Sequence, residues 1–465
     1  MTRRTRSTAV ILAAASLAAC FFALVLLKSQ ALGIASYAFA IGLGTLLVEP
    51  YVGLVNYLVF LYLRPQEFVP ALEALPLMLL VGGATFGIMI IHFALIRRRI
   101  PITAAPQNIL MVLFLGAIMM SHLGNLYLHG AIYSGREFLS TFVMYLLVIA
   151  LVQGETRIRI TLSVLTILTM VLAVQGIVQY YTGVGLAQQT MIVGRIRSIG
   201  IFGDPNDLAL SFLLIIPFIL FTLIDSRNML VKLQSIIVLA VVAYAFYLTG
   251  SRGGFLGLAV VAFLLFVRRF GWRLGSLVGV VCVLIVVAGA PDRFADLSPH
   301  EASAYGRIEA WGLGLSLLKA HPLFGTGAGT FLDYHYRTAH NSFVLCASEL
   351  GMFGLFTWTL LIFVSMRNLF FIGSEARERG MVSMALLSDS IFFAFVGYLT
   401  SAFFLSRTYN ELLYIMIGLA VAVTNAFMER TGERYRLLER KDLLYTGIII
   451  VGTLFFLKVI TFIYW

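Results

Sequence analysis

Apolar runs of roughly membrane-crossing length alternate with short polar joints along almost the whole chain. Fifteen can be marked, near 8–27, 31–48, 51–63, 76–96, 107–121, 137–152, 158–180, 206–224, 233–249, 253–267, 274–290, 342–366, 382–404, 409–428 and 443–464. A helix needs about 20 apolar residues to cross the ~30 Å hydrocarbon core of a bilayer. The pattern predicts an all-α fold, a polytopic membrane bundle of about 12–15 transmembrane segments. The runs 51–63, 107–121 and 253–267 fall short of that length and predict tilted, half-spanning or re-entrant pieces. No internal repeat, low-complexity tract or soluble second domain interrupts the alternation.

Composition agrees. Of 465 residues, 60% are hydrophobic and only 12% charged, too little charge to cover a soluble enzyme of this size. Mean hydropathy of +0.95 excludes soluble, disordered and fibrous classes. Met1–Arg6 followed by the run Thr8–Leu27 resembles a signal peptide. The run is long for one and ends in Lys28-Ser-Gln without a small-x-small site, so a retained first transmembrane helix is expected. Cys20, Cys282 and Cys346 lie in or beside apolar runs and imply neither a disulfide framework nor a metal set.

The formal charge of +11 reads as membrane orientation rather than nucleic-acid binding, because the basic residues sit in short loops between apolar runs. Alternating the runs from a cytoplasmic N-terminus puts twenty-one Lys and Arg inside, including Arg97–Arg99, Arg157, Arg159, Arg268, Arg377 and Arg430. Eleven fall outside: Lys28, Arg64, Arg136, Arg195, Arg197, Arg252, Arg293, Arg307, Lys319, Arg337 and Arg407. That bias supports the orientation.

Two outside loops are more than tight connections, 181–205 and 291–341. The second carries His300, His321, His335 and His340, four of the seven histidines. Within it Ile308, Trp311, Leu315 and Leu318 recur at near-helical spacing and predict an amphipathic helix lying on the outer membrane surface.

Charge beside the bilayer is costly, and so marks candidate sites. Lys28, Arg64 and Arg407 at run ends read as snorkelling side chains. Arg252, in Thr249-Gly-Ser-Arg-Gly-Gly, lies between two runs among glycines that let backbone approach a ligand. Arg195 with Arg197 forms a second basic cluster, and Arg307 a third. A guanidinium fork suits phosphate, so the three sites suggest a diphosphate held at the membrane. His340 is either a helix-start histidine without a role or a general base, with Asn341 and Ser342 as candidate caps. Asp333, His335 and His340 do not make an established metal-ligand pattern. In Phe202-Gly-Asp-Pro-Asn-Asp, Asn206 or Asp207 is expected to cap the following run. His321-Pro-Leu-Phe-Gly-Thr-Gly-Ala-Gly is a flexible turn and not a P-loop, since no Gly-Lys-Ser/Thr follows.

Taken in order, Arg197-Ser-Ile-Gly-Ile-Phe-Gly-Asp-Pro-Asn, Thr249-Gly-Ser-Arg-Gly-Gly, Gly306-Arg-Ile-Glu-Ala-Trp, His321-Pro-Leu-Phe-Gly-Thr-Gly and Ala339-His-Asn-Ser with Glu349-Leu-Gly resemble the O-antigen ligase/polymerase family of bacterial membrane glycosyltransferases. The resemblance covers roughly 160–430; the first 150 residues match only as hydrophobic helices. It implies a multi-pass protein of the bacterial inner membrane with its active site facing the periplasm. The implied donor is an undecaprenyl-diphosphate-linked glycan. The acceptor is lipid A–core in a ligase, or another lipid-linked glycan in a polymerase. Membrane lipids are partners and nucleic acid is not. No cofactor and no metal are implied. Carried over, His340 matches the family's essential histidine, Arg197 and Arg252 its diphosphate-binding arginines, and Arg307 an arginine of the large periplasmic loop. Arg195 joins them by proximity to Arg197. Asp204 stands where the family more often has Asn.

The implied chemistry is a metal-independent, inverting displacement, with His340 taking the acceptor proton and arginines stabilising the departing diphosphate. The expected organisation is N-terminal transmembrane helices over 1–157, a catalytic core over 158–430 including both outside loops, and a basic loop with the last helix over 431–465. A lipid-linked oligosaccharide flippase is the reading from another class. It would place several charges deep inside its spans.

Overall fold

The computed structural model describes residues 49–464 apart from 69–71, 74–75, 98–103, 186, 289–301 and 434–435. The runs 8–27 and 31–48, with Cys20 and Lys28, lie outside the described residues, as do Arg293 and His300. The remaining runs form α1 (Pro50–Leu63), α2 (Leu77–Ile91), α3 (Pro106–Leu123), α4 (Leu128–Leu151), α5 (Gly154–Thr182), α6 (Pro205–Asp225), α7 (Met229–Thr249), α8 (Arg252–Phe270), α9 (Trp272–Ala288), α10 (Ala302–Ala320), α11 (Ser342–Glu378), α12 (Val382–Ala402), α13 (Glu411–Thr431) and α14 (Arg440–Tyr464). Among the described residues, ten of the helices are long and apolar enough to cross a membrane. The protein is an all-α polytopic bundle.

Local chemistry sets the helix ends. Asn228, Ser251, Asn341 and Asn410 each accept a backbone N–H of the following first turn, satisfying donors the helix itself leaves open. At α6 the cap is Asp204, whose carboxylate accepts from the Asn206 N–H at 2.8 Å, with Pro205 as first helical residue. The expected cap was Asn206 or Asp207. Proline is preorganised for the first helical position, which moves the cap at least two residues earlier and frees both side chains for other bonds. Of the short runs, 107–121 and 253–267 extend to helices of 18 and 19 residues. Only α1 stays short, at 14 residues. At 1.5 Å per residue it is roughly 21 Å long, less than a bilayer core.

The core lies where α13 passes through the bundle. Its residues Leu412–Thr424 are buried without a break, the mark of a helix with no lipid face. α8 and α12 approach closely: a Cβ on Gly257 would sit 2.8 Å from the Gly397 carbonyl, the small-residue contact typical of membrane helices.

Charges separate to the two ends. Arg157 pairs with Glu49, Arg159 with Glu155 and Asp225, Arg268 and Arg377 with Asp389, Arg367 with Asp442, Arg379 with Glu433, and Arg430 with Glu155. All these arginines belong to the set expected inside. At the opposite end, called outer below, Arg407 pairs with Asp207 and Arg64 with Glu67. Each of these pairs joins groups at one end, so the helices alternate as the charge pattern predicts.

α11 is broken near its start. Gly351 has φ 63° and ψ −166°, a conformation open to glycine and strained for other residues. The break exposes backbone groups, and the His321–Gly327 turn takes them up. Thr326 and Gly327 N–H donate to the Ser348 and Glu349 carbonyls, and Met352 and Phe353 N–H donate to the Pro322 and Leu323 carbonyls, all at 2.8–3.2 Å. The turn is therefore a clasp on a helix break, not a loose linker.

α10 forms over the predicted amphipathic stretch. It packs against α11 and α14 with Ala310, Trp311, Gly314 and Leu317 buried. Its small residues face the bundle, where a Cβ on Gly314 would lie 2.3 Å from Val344. A pattern that reads only large apolar positions misses a contact face made partly of Gly and Ala.

Candidate active site at the outer end

His340 lies just before α11, on the segment that links the clasp to the helix. Asn341 caps the helix, its Oδ1 accepting from Phe343 and Val344 N–H at 2.9 and 3.0 Å. Ser342 Oγ donates to the Leu405 carbonyl at 2.6 Å and accepts the Arg407 N–H at 2.8 Å. Thr408 Oγ1 donates to the Ser342 carbonyl at 2.8 Å. The α12–α13 connection is thus strapped across the start of α11. His340 itself has φ 47°, sparsely populated for a residue with a side chain. The straps on both sides hold it there.

Burial pushes the proton affinity of His340 down to about 4, and the positive charges of Arg307, Arg407 and Arg337 push the same way, with Asp204 opposing. The ring is therefore neutral near pH 7. Its neighbours come from α10, the 331–341 segment, the α12–α13 connection and the start of α6. The outer layer is one convergent site built from distant pieces of chain.

Arg407 is not a snorkelling side chain. Its guanidinium binds the Asp207 carboxylate through Nε and Nη2, and Nη1 donates to the Ser406 carbonyl at 2.7 Å. Two charges withdrawn from water need this kind of two-point pairing to persist. Asn206 bridges further: its Oδ1 accepts from Ser251 Oγ and from Arg195 Nη2, both at 2.8 Å. The starts of α6 and α8 and the end of α7 are joined there.

The nominated arginines divide by what they hold. Arg307 stands close enough to act on His340. Arg252 is the first residue of α8, directly after Ser251 and so beside the Asn206 bridge. Arg195 is built in, its Nε donating to the Thr249 carbonyl at 2.7 Å and its Nη2 to Asn206. Arg197 is tied to α5 and the 181–205 loop. Its backbone N–H donates to Gln179 Oε1 at 2.8 Å and its Nε to the Thr190 carbonyl at 2.7 Å. Among the described residues its two terminal nitrogens make no hydrogen bond. The segment around it drops into the bundle, with Ile196, Ile199 and Phe202 buried and Phe202 against Tyr62 at the top of short α1.

Sequence reasoning missed Asp207, Arg337, Arg407 and Glu349. The Glu349 carboxylate accepts from the Phe331 N–H at 3.0 Å and from the Tyr409 hydroxyl at 2.9 Å, tying the clasp to the α12–α13 connection. It also missed Ser121, His122 and Asn125 at the end of α3. These bind Ala328 and Gly325 at 2.9–3.1 Å, so helices from the first 150 residues hold the clasp from behind. A carboxylate inside an apolar run is the signal that marks Asp207 and Glu349. Among the described residues no three His, Cys, Asp or Glu come together as metal ligands.

Comparison with known proteins gives one finding. Residues 236–359 match the family model described as O-antigen ligase, narrower than the 160–430 of the motif resemblance. The match takes in Arg252, Arg307, the clasp, His340 and Glu349. No curated protein matches the chain. Over residues 236–359, within a multi-pass membrane chain, the sequence is thus similar to the O-antigen ligase family.

Proposed function

We propose that this protein transfers a glycan from undecaprenyl diphosphate to a sugar hydroxyl of lipid A–core, at the periplasmic face of a bacterial inner membrane. The observation that carries this reading is the setting of His340. It is neutral, ringed by arginines, and lies inside the O-antigen ligase match. The acceptor hydroxyl attacks the anomeric carbon of the donor from the face opposite the diphosphate. Its proton passes to His340, the new glycosidic bond forms, and undecaprenyl diphosphate leaves with the electron pair. Arg252, Arg307 and Arg197 offset the charge that grows on the diphosphate, while Arg195 holds the frame. One displacement inverts the centre and needs no paired carboxylates.

The same chemistry with a second lipid-linked glycan as acceptor makes a polymerase. The polar layer at one end favours transfer over flipping, which asks for charges along the path. The test is a transfer assay with the purified protein in lipid and a labelled undecaprenyl-diphosphate glycan. Product only when lipid A–core is added identifies a ligase, and a ladder from donor alone identifies a polymerase. His340→Ala should lower the rate at least about 100-fold with expression unchanged, and EDTA should leave it unaltered. Transfer at the normal rate by His340→Ala would remove the histidine as base.

A further inference from the structure

Beside the arginine-rich layer is a cleft of about 280 Å³ with a different character. Its lining includes Tyr133, Glu137 and Thr141 of α4, Gly329 just after the clasp, and Tyr409 and Glu411 around the start of α13. Its volume is close to the lower end of small-molecule sites, about 300 Å³. No lysine or arginine lines it; two carboxylates do. A diphosphate is repelled by such a lining. A polyol is not, since carboxylates accept from sugar hydroxyls in charge-assisted bonds and tyrosine rings offer apolar faces to the C–H side of a pyranose. The cleft also adjoins the reacting centre. Tyr409 and Glu411 follow Arg407, whose charge reaches His340. The Tyr409 hydroxyl and the Phe331 N–H share the Glu349 carboxylate, and Phe331 begins the segment that ends at His340.

We infer that this cleft holds the terminal sugar of the acceptor glycan, and that Tyr133, Glu137 and Glu411 select it. The electrostatics divide the outer layer in two, a cationic side for the donor's diphosphate and an anionic, aromatic side for the acceptor's pyranose. The inference rests on the glycosyl-transfer reading, and its test separates the two.

Tyr133 and Glu137 are exposed, so Tyr133→Ala and Glu137→Gln spare the core. Wild-type protein in lipid is titrated with core oligosaccharide freed of lipid A, and separately with undecaprenyl-diphosphate glycan, and binding is followed by saturation-transfer NMR. Each variant should weaken binding of the core oligosaccharide, or of the lipid-linked glycan if that is the acceptor, by about tenfold or more. The acceptor KM should rise in step, with donor KM and kcat near wild type. His340→Ala should bind the acceptor normally. Unchanged acceptor binding in both variants would overturn the inference while transfer by the wild type still stood. A rise in donor KM alone would also overturn it, by assigning the cleft to the donor. Core-oligosaccharide binding that depends on the cleft in a protein unable to transfer would overturn the inference together with the transferase reading, leaving a sugar site with no acceptor role.

Discussion

At His340 the surrounding charge decides when the ring can act. An ordinary histidine titrates near 6.5; burial and three arginines lower this one to about 4. Above that pH the ring is neutral and able to accept a proton, and below it the proposed base would be lost. The acid limb of kcat/KM for transfer should therefore lie near pH 4, with activity flat from about pH 5.5 to 8. Arg307→Gln removes one of the opposing charges and should move the limb upward. A limb at 6.5 in both proteins would refute this account of the ring. A bound diphosphate should raise the proton affinity, so the limb of kcat belongs above that of kcat/KM. His340 and its Asn341 cap were legible in sequence, because a polar trio at the head of an apolar run is a local signal. Arg407 was not. Its meaning comes from Asp207, 200 positions away, and no local pattern separates a paired arginine from one reaching for headgroups.

Among the elements, the α11 break and its clasp form one unit. Gly351 cannot be replaced cheaply, since a Cβ there would lie 2.5 Å from Leu323 backbone and φ is positive. Gly351→Ala should cost at least about 2 kcal/mol and abolish transfer, seen as a lowered melting temperature in detergent. A variant as stable and active as wild type would show that the break is dispensable. The element boundaries were largely readable from hydrophobic runs. The clasp was not, because the turn's glycines announce flexibility in sequence and acquire order only from carbonyls opened by the break. The face of α10 was hidden for a related reason: Gly and Ala make contact by being small.

For the whole molecule, the division of charge between two ends was the most legible feature, since positive-inside counting needs no contact information. Its sign is open to a direct test. Tyr336→Cys lies exposed at the outer end and Glu439→Cys exposed at the inner end. An impermeant thiol reagent should label the first in cells permeable only at the outer membrane, and the second only after lysis. The reverse pattern would invert the orientation. The native Cys346 is buried and should stay silent.

That same separation bears on energetics. The buried carboxylates Asp389, at the inner end, and Asp207, at the outer end, are each tied to arginines of their own end. The proposed transfer draws its work from the donor's bond between sugar and diphosphate, so turnover in sealed vesicles should proceed at one rate with or without an ionophore.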